Sequence, residues 1–143
     1  MRQKATRGVR DGGRRGYLFD NLAVTATLFI SDPFELFDLD GCGLQLITTG
    51  TVTGAWTVEQ SMDYSSGDRD IRANAGTWND ITALLNATPT AVAAASNQYR
   101  QLGGGGGTTA VTNFFGGAIR IKFTGSANTG NITAIVLGKS VGS

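Results

Sequence analysis

Residues 117–140, GAIRIKFTGSANTGNITAIVLGKS, decide the fold. In Ala118–Thr124 the apolar Ile119, Ile121 and Phe123 alternate with Arg120, Lys122 and Thr124, the period of a strand with one buried and one solvated face. Gly125-Ser-Ala-Asn-Thr-Gly130 is turn chemistry, and Asn131–Leu137 follows as a second strand, apolar on both faces and so expected in the middle of a sheet or under cover. Working backwards, residues 43–63, GLQLITTGTVTGAWTVEQSMD, repeat the pattern. Leu44–Thr48 is a strand, Thr49–Gly54 a turn and Ala55–Ser61 a strand, with Trp56 and Val58 inward and Thr57 and Glu59 outward.

The same reading extends to the remaining segments. Leu22–Ile30 reads as one strand with Leu22, Val24, Leu28 and Ile30 on one face, ended by Ser31-Asp-Pro33. Phe34–Phe37 is a short apolar piece closed by Asp38-Leu-Asp-Gly41, and residues 63–76 are an exposed, glycine-punctuated loop. Thr77–Thr82 is a brief strand. Alanine-rich 83–102 contains Pro89 and β-branched residues, which favours loop and strand over helix. Gly103–Gly107 is flexible backbone by composition, and Val111–Phe115 is a further strand. About eight strands with glycine-rich turns describe an all-β chain, an antiparallel β-sandwich or jelly roll.

Composition excludes much chemistry. The 143 residues contain no histidine and one cysteine, Cys42, which removes the usual general base, imidazole metal ligands and any intrachain disulfide. No cofactor is expected. No apolar run approaches a membrane span or a signal peptide, so synthesis in a cytoplasm is expected and the Asn86-Ala-Thr and Asn131-Ile-Thr acceptor patterns read as chance.

Charge is uneven although the net is only +1. Residues 1–16 carry Arg2, Lys4, Arg7, Arg10, Arg14 and Arg15 against Asp11, a net of +5, and the remainder carries six cations and ten acids, a net of −4. With little to bury, 1–16 reads as a flexible basic N-terminal arm and 17–143 as the β-sandwich domain.

The remaining conspicuous groups read blandly. Trp56, Trp78, Phe114 and Phe115 could form a sugar-stacking platform, but core packing is the stronger reading. Asp63, Asp68, Asp70 and Asp80 contain the makings of a glycosidase pair, yet lie in a loop or beside Arg69 and Arg72. Asp38 and Asp40 begin a calcium-loop pattern that lacks its closing glutamate, and the glycine run lacks the lysine of a phosphate loop. Cys42 reads as a small buried hydrophobe.

The stretches TGTVTGAWTVEQSMD, TWNDIT and AIRIKFTGSANTGNITAIVLGKS together resemble the β-sandwich domains of tailed-bacteriophage virion proteins, through Val58, Ser61, Asp63, Trp78, Ile119, Arg120, Gly130 and Ile132–Leu137. The likeness runs over residues 44–140; the insertion 64–75 and the glycine run fall outside its pattern. It implies a non-enzymatic virion structural protein of capsid decoration or cement type, located in the virion. The alternative it implies is a neck-, tail- or fibre-associated protein, or a receptor- (glycan-) binding one. The partners so implied are the major capsid or other virion proteins and copies of the chain itself, a trimer being favoured, with no membrane. The arm's six cations would then seat on an acidic neighbour, and Phe34, Leu36 and Phe37 would lie at a subunit contact. Nucleic acid is the lesser partner for the arm, because aromatics do not alternate with its cations.

Overall fold

The computed structural model describes residues 14–25, 28–36, 41–67, 72–85, 91–93, 95–103, 117–125 and 130–139. Ten strands are found there: β1 (Arg14–Ala23), β2 (Leu28–Ile30), β3 (Phe34–Glu35), β4 (Gly41–Gly50), β5 (Thr53–Ser61), β6 (Asn79–Asp80), β7 (Ala91–Ala93), β8 (Ser96–Gly103), β9 (Ala118–Gly125) and β10 (Gly130–Lys139). They form two antiparallel sheets. The first has the order β1-β10-β4-β8; in the second, β2-β9-β5-β6, β3 also pairs with β9 and β7 with β5.

The two-residue period decides which side chains meet between the sheets. In the first sheet β4 turns Cys42, Leu44 and Leu46 inward, and β10 turns Ile132, Ala134 and Val136. In the second, Trp56 and Val58 of β5 and Ile119, Ile121 and Phe123 of β9 are buried, as the alternation requires. These residues join one core, so the chain is an all-β sandwich. β10, apolar on both faces, lies inside its sheet between β1 and β4. Gly130 enters β10 with φ 145°, where a Cβ would collide with the Thr49 carbonyl oxygen.

Several expectations need correction. Leu22–Ile30 is not one strand: β1 ends at Ala23 in the first sheet and β2 starts at Leu28 in the second. The change of sheet resets the phase, so Val24 is buried but Leu28 and Ile30 are exposed, while Phe29 packs against the core. Of Thr77–Thr82 only Asn79–Asp80 pairs as strand. The Asp80 carboxylate takes both the N–H (2.9 Å) and the hydroxyl (2.6 Å) of Thr82, turning the chain into a single 3-10 turn at Thr82–Leu84. The expected turn at 49–54 is tighter, and its Val52 is fully buried. The expected Val111–Phe115 strand and Gly103–Gly107 run lie outside the described residues, apart from Gly103, which ends β8.

β1 also begins earlier than the expected boundary at Tyr17, so Arg14 and Arg15 belong to the sheet. Its register against β10 shifts between Tyr17 and Phe19 and again between Phe19 and Leu22. The first shift lets both Leu18 and Phe19 pack on the core, and near the second Asn21 takes a positive φ of 49°. Asn21 is held there by donating its N–H to Thr133 Oγ1 (3.1 Å) and by accepting from Asn131 Nδ2 on its Oδ1 (2.8 Å).

Candidate interaction faces

The expected contact residues come first. Phe34 sits on β3 and is 5% exposed, and Leu36 is 0% exposed with its N–H on the Gly117 carbonyl (2.6 Å). Both belong to the core of their own chain, so neither is presented to a neighbouring subunit; Phe37 lies outside the described residues. Of the arm cations, Arg2, Lys4, Arg7 and Arg10 also lie outside them. The Arg14 guanidinium stands 5.0 Å from the Phe34 ring centroid, a cation–π contact that ties the start of the first sheet to the second, whereas Arg15 is exposed.

The sheets are further joined by polar groups. Trp56 Nε1 of the second sheet donates to Gln98 Oε1 of the first (2.8 Å), and Gln98 Nε2 donates back to the Ala91 carbonyl of the second (2.6 Å). This bridge was not legible from the alternation, which marks Gln98 only as polar. Trp56 is 0% exposed, so it offers no sugar-stacking surface.

The outer face of the second sheet is charged. Arg120, opposite Glu59 in the register, donates its Nε to Glu59 Oε1 (2.8 Å), and Lys122, opposite Thr57, reaches diagonally to lie with its Nζ 3.7 Å from the other Glu59 oxygen, a partly buried cluster on β9 and β5. The Arg120 guanidinium also lies 4.3 Å from the Trp78 ring centroid, Trp78 Nε1 donates to the Ala75 carbonyl (3.0 Å), and the Tyr64 ring is 5.8 Å away. Trp78 is therefore committed to fastening the 61–78 loop onto the sheet.

Asp63 closes that loop. It accepts from the Ser61 hydroxyl (2.7 Å), the Thr77 N–H (2.6 Å) and the Thr77 hydroxyl (3.0 Å), and Ser65 and Asn74 exchange main-chain hydrogen bonds within it. The Ser61 hydroxyl first, then Thr77, holds the Asp63 carboxyl below its ordinary pKa; at Asp80 the Thr82 hydroxyl and then the Thr82 N–H do the same. Both are stabilised as anions with structural partners, the opposite of a raised, acid-donating carboxyl. Asp68, Asp70, Asp38, Asp40, Phe114 and Phe115 fall outside the described residues. Among the described residues no group of three or more His, Cys, Asp or Glu is placed to hold a metal ion, and no helix is long and apolar enough to cross a membrane. Cys42 is buried, and burial pushes its thiol pKa up to about 12.

The outer face of the first sheet is different in kind. Its rows read Arg15–Leu137–Gly43–Gln101, then Tyr17–Ile135–Gln45–Tyr99, then Thr133–Ile47–Asn97 across neighbouring strands. Arg15, at the edge, is the only charge in those rows. Tyr17, Tyr99 and Leu137 are 42%, 61% and 53% exposed. The Tyr99 ring lies across Gly43, where a Cβ would come within 3.0 Å of its hydroxyl, and Gln45 Nε2 donates to Asn97 Oδ1 (3.0 Å). The one advance sign of this face was the second apolar side of β10, which holds Ile135 and Leu137. Comparison of the chain with protein-family models, with curated proteins and with solved structures gave no match.

Proposed function

We propose that the chain is a virion structural protein without a chemical reaction of its own, most specifically a capsid decoration or cement protein. In this role a rigid sandwich body is held on a larger protein shell and on copies of itself, and its N-terminal cations fasten it to an acidic neighbour. The observation that carries the reading is the division of charge: residues 1–13, with Arg2, Lys4, Arg7 and Arg10 against Asp11, are net +3, and the body from Arg14 on, with eight cations and ten acids, is net −2. The body adds support of a second kind, because its polar groups are spent on holding the fold. Asp63, Asp80, Glu59, Arg120 and Trp78 all secure loops or sheet faces. The likeness of residues 44–140 to phage virion sandwiches points the same way and remains a likeness.

Since β1 starts at Arg14, the tether in this reading is residues 1–13, and Arg14 works inside the sandwich. The experiment is to quantify the protein in purified particles of the virus whose genome encodes it, alongside particles made without it. Stoichiometric copies, with lowered thermal or osmotic resistance of the depleted particles, are expected. Absence from intact particles overturns the proposal.

A further inference from the structure

We infer that the outer face of the first sheet is a self-contact, on which two copies of the chain pack sheet against sheet about a two-fold axis. The inference deepens the structural role proposed above and rests on it only for the expectation that copies of the chain associate.

The composition of the face is the first argument. Cores of protein–protein contacts are depleted in charge, more apolar than the surrounding surface and enriched in aromatic side chains such as tyrosine. Around Ile135 the strands β10, β4 and β8 place no charged residue in the three rows, although the opposite face of the sandwich sets Glu59, Arg120 and Lys122 side by side. With Arg15 at the edge as the one charge of these rows, the face offers little complement to a strongly basic or acidic partner, and its charge-free middle meets its own copy without like-charge repulsion. Tyr99 adds pre-organisation: lying over Gly43, its ring is already placed, so less side-chain freedom is lost on docking.

Size is the second argument. Four strands about 4.8 Å apart and about eight residues long at about 3.3 Å per residue give the whole outer face of the sheet, of which the three rows are the middle, roughly 500 Å². Two such faces together bury on the order of 1,000 Å², the lower bound of a specific protein contact. A small ligand would leave most of a flat surface of that size uncovered. Stacked sheets with inward Tyr17, Ile135, Tyr99 and Leu137 on both sides reproduce, between chains, the packing found inside the sandwich.

The test uses the full chain in sedimentation equilibrium up to tens of micromolar. Leu137→Glu places a charge on the contact, one row from Ile135, and should raise the self-dissociation constant at least roughly tenfold. Leu28→Glu, on the outer face of the second sheet at a site 50% exposed, should leave it unchanged. Mixing Leu137→Glu with Leu137→Lys should restore association, since the two faces of the mixed pair then carry opposite charge. Near-ultraviolet circular dichroism checks the fold, and Tyr17→Glu replaces Leu137→Glu should the latter unfold. A wild type monomeric throughout, no effect of the Leu137 or Tyr17 change, or equal dissociation by Leu28→Glu overturns the inference. A trimer unaffected by Leu137→Glu does so as well. Particle binding retained by a monomeric Leu137→Glu protein leaves the virion role standing, so failure of the contact and failure of that role are separate results.

Discussion

Gln98 uses both ends of its amide to hold the two sheets together, and a double-mutant cycle on it and Trp56 measures that bridge. Trp56→Phe deletes the indole N–H that Gln98 Oε1 accepts at 2.8 Å in a site where the ring is 0% exposed. Gln98 is half-buried, so leaving its Oε1 without the donor costs at most about 1–3 kcal/mol. The ring atoms lost from the packed site add about 1–2 kcal/mol. Gln98→Leu removes the acceptor and also the donor to the Ala91 carbonyl (2.6 Å), and should cost about 2–4 kcal/mol. Once the first partner is gone, the second substitution no longer breaks the Trp56–Gln98 bond. The double variant should therefore be more stable than additivity predicts by about 1–2 kcal/mol. Denaturant unfolding followed by far-ultraviolet circular dichroism, extrapolated to water for all four proteins, gives the coupling. Additivity within about 0.5 kcal/mol would refute the claim that the sheets face each other through this pair.

Three further outcomes follow from the same packing. Leu36→Ala should cost about 2–5 kcal/mol of folding stability in the isolated chain; unchanged stability with lost self-association would instead return Leu36 to a subunit contact. Asp63 has a folded pKa below the ordinary value of 3.8, because the Ser61 hydroxyl and then the Thr77 N–H and hydroxyl favour its anion. Its contribution is complete above that ordinary value and is lost as pH falls through the lowered folded one, so Asp63→Asn should flatten the acid side of a melting-temperature-against-pH profile; an unchanged profile would contradict the clamp. Cys42, buried and with its thiol pKa pushed up to about 12, should resist a thiol reagent in the native protein and react fully once denatured, and rapid native labelling would contradict its place in the core.

The strands with the strongest alternation were the ones the sequence revealed. In β9 Ile119, Ile121 and Phe123, and in β5 Trp56 and Val58, are large, apolar and spaced by two, and a pleated backbone leaves those side chains one face to occupy. The central position of β10 was legible for a related reason, since a strand apolar on both sides needs neighbours or a covering partner. What alternation does not record is a change of sheet. Between Ala23 and Leu28 the chain crosses the sandwich, and the period was carried across a break where the phase restarts. The polar strand β8, Ser96–Gly103, is legible only weakly, because its inward Gln98 is satisfied by hydrogen bonds to Trp56 and Ala91 and not by apolar packing.

Function was less legible, for a physical reason. A catalytic centre announces itself through residue types, whereas an interaction face is defined by which side of a strand a common residue occupies. Phe34 and Leu36 looked like contacts because they form a short apolar piece between turns; pairing with β9 and a hydrogen bond to Gly117 fold them inward. By residue type Tyr17 and Tyr99 mark no face, yet register sets them in one row with Ile135 and Gln45.

The central claim is that the protein acts by attachment, through its cationic N-terminal residues, to a larger assembly. Co-sedimentation with particles made without it, comparing the full chain with residues 14–143 over a range of salt, tests this most directly. The account predicts saturable binding of the full chain that weakens with salt, and loss of that binding in the shortened chain with its sandwich intact. Equal binding by both forms would contradict it.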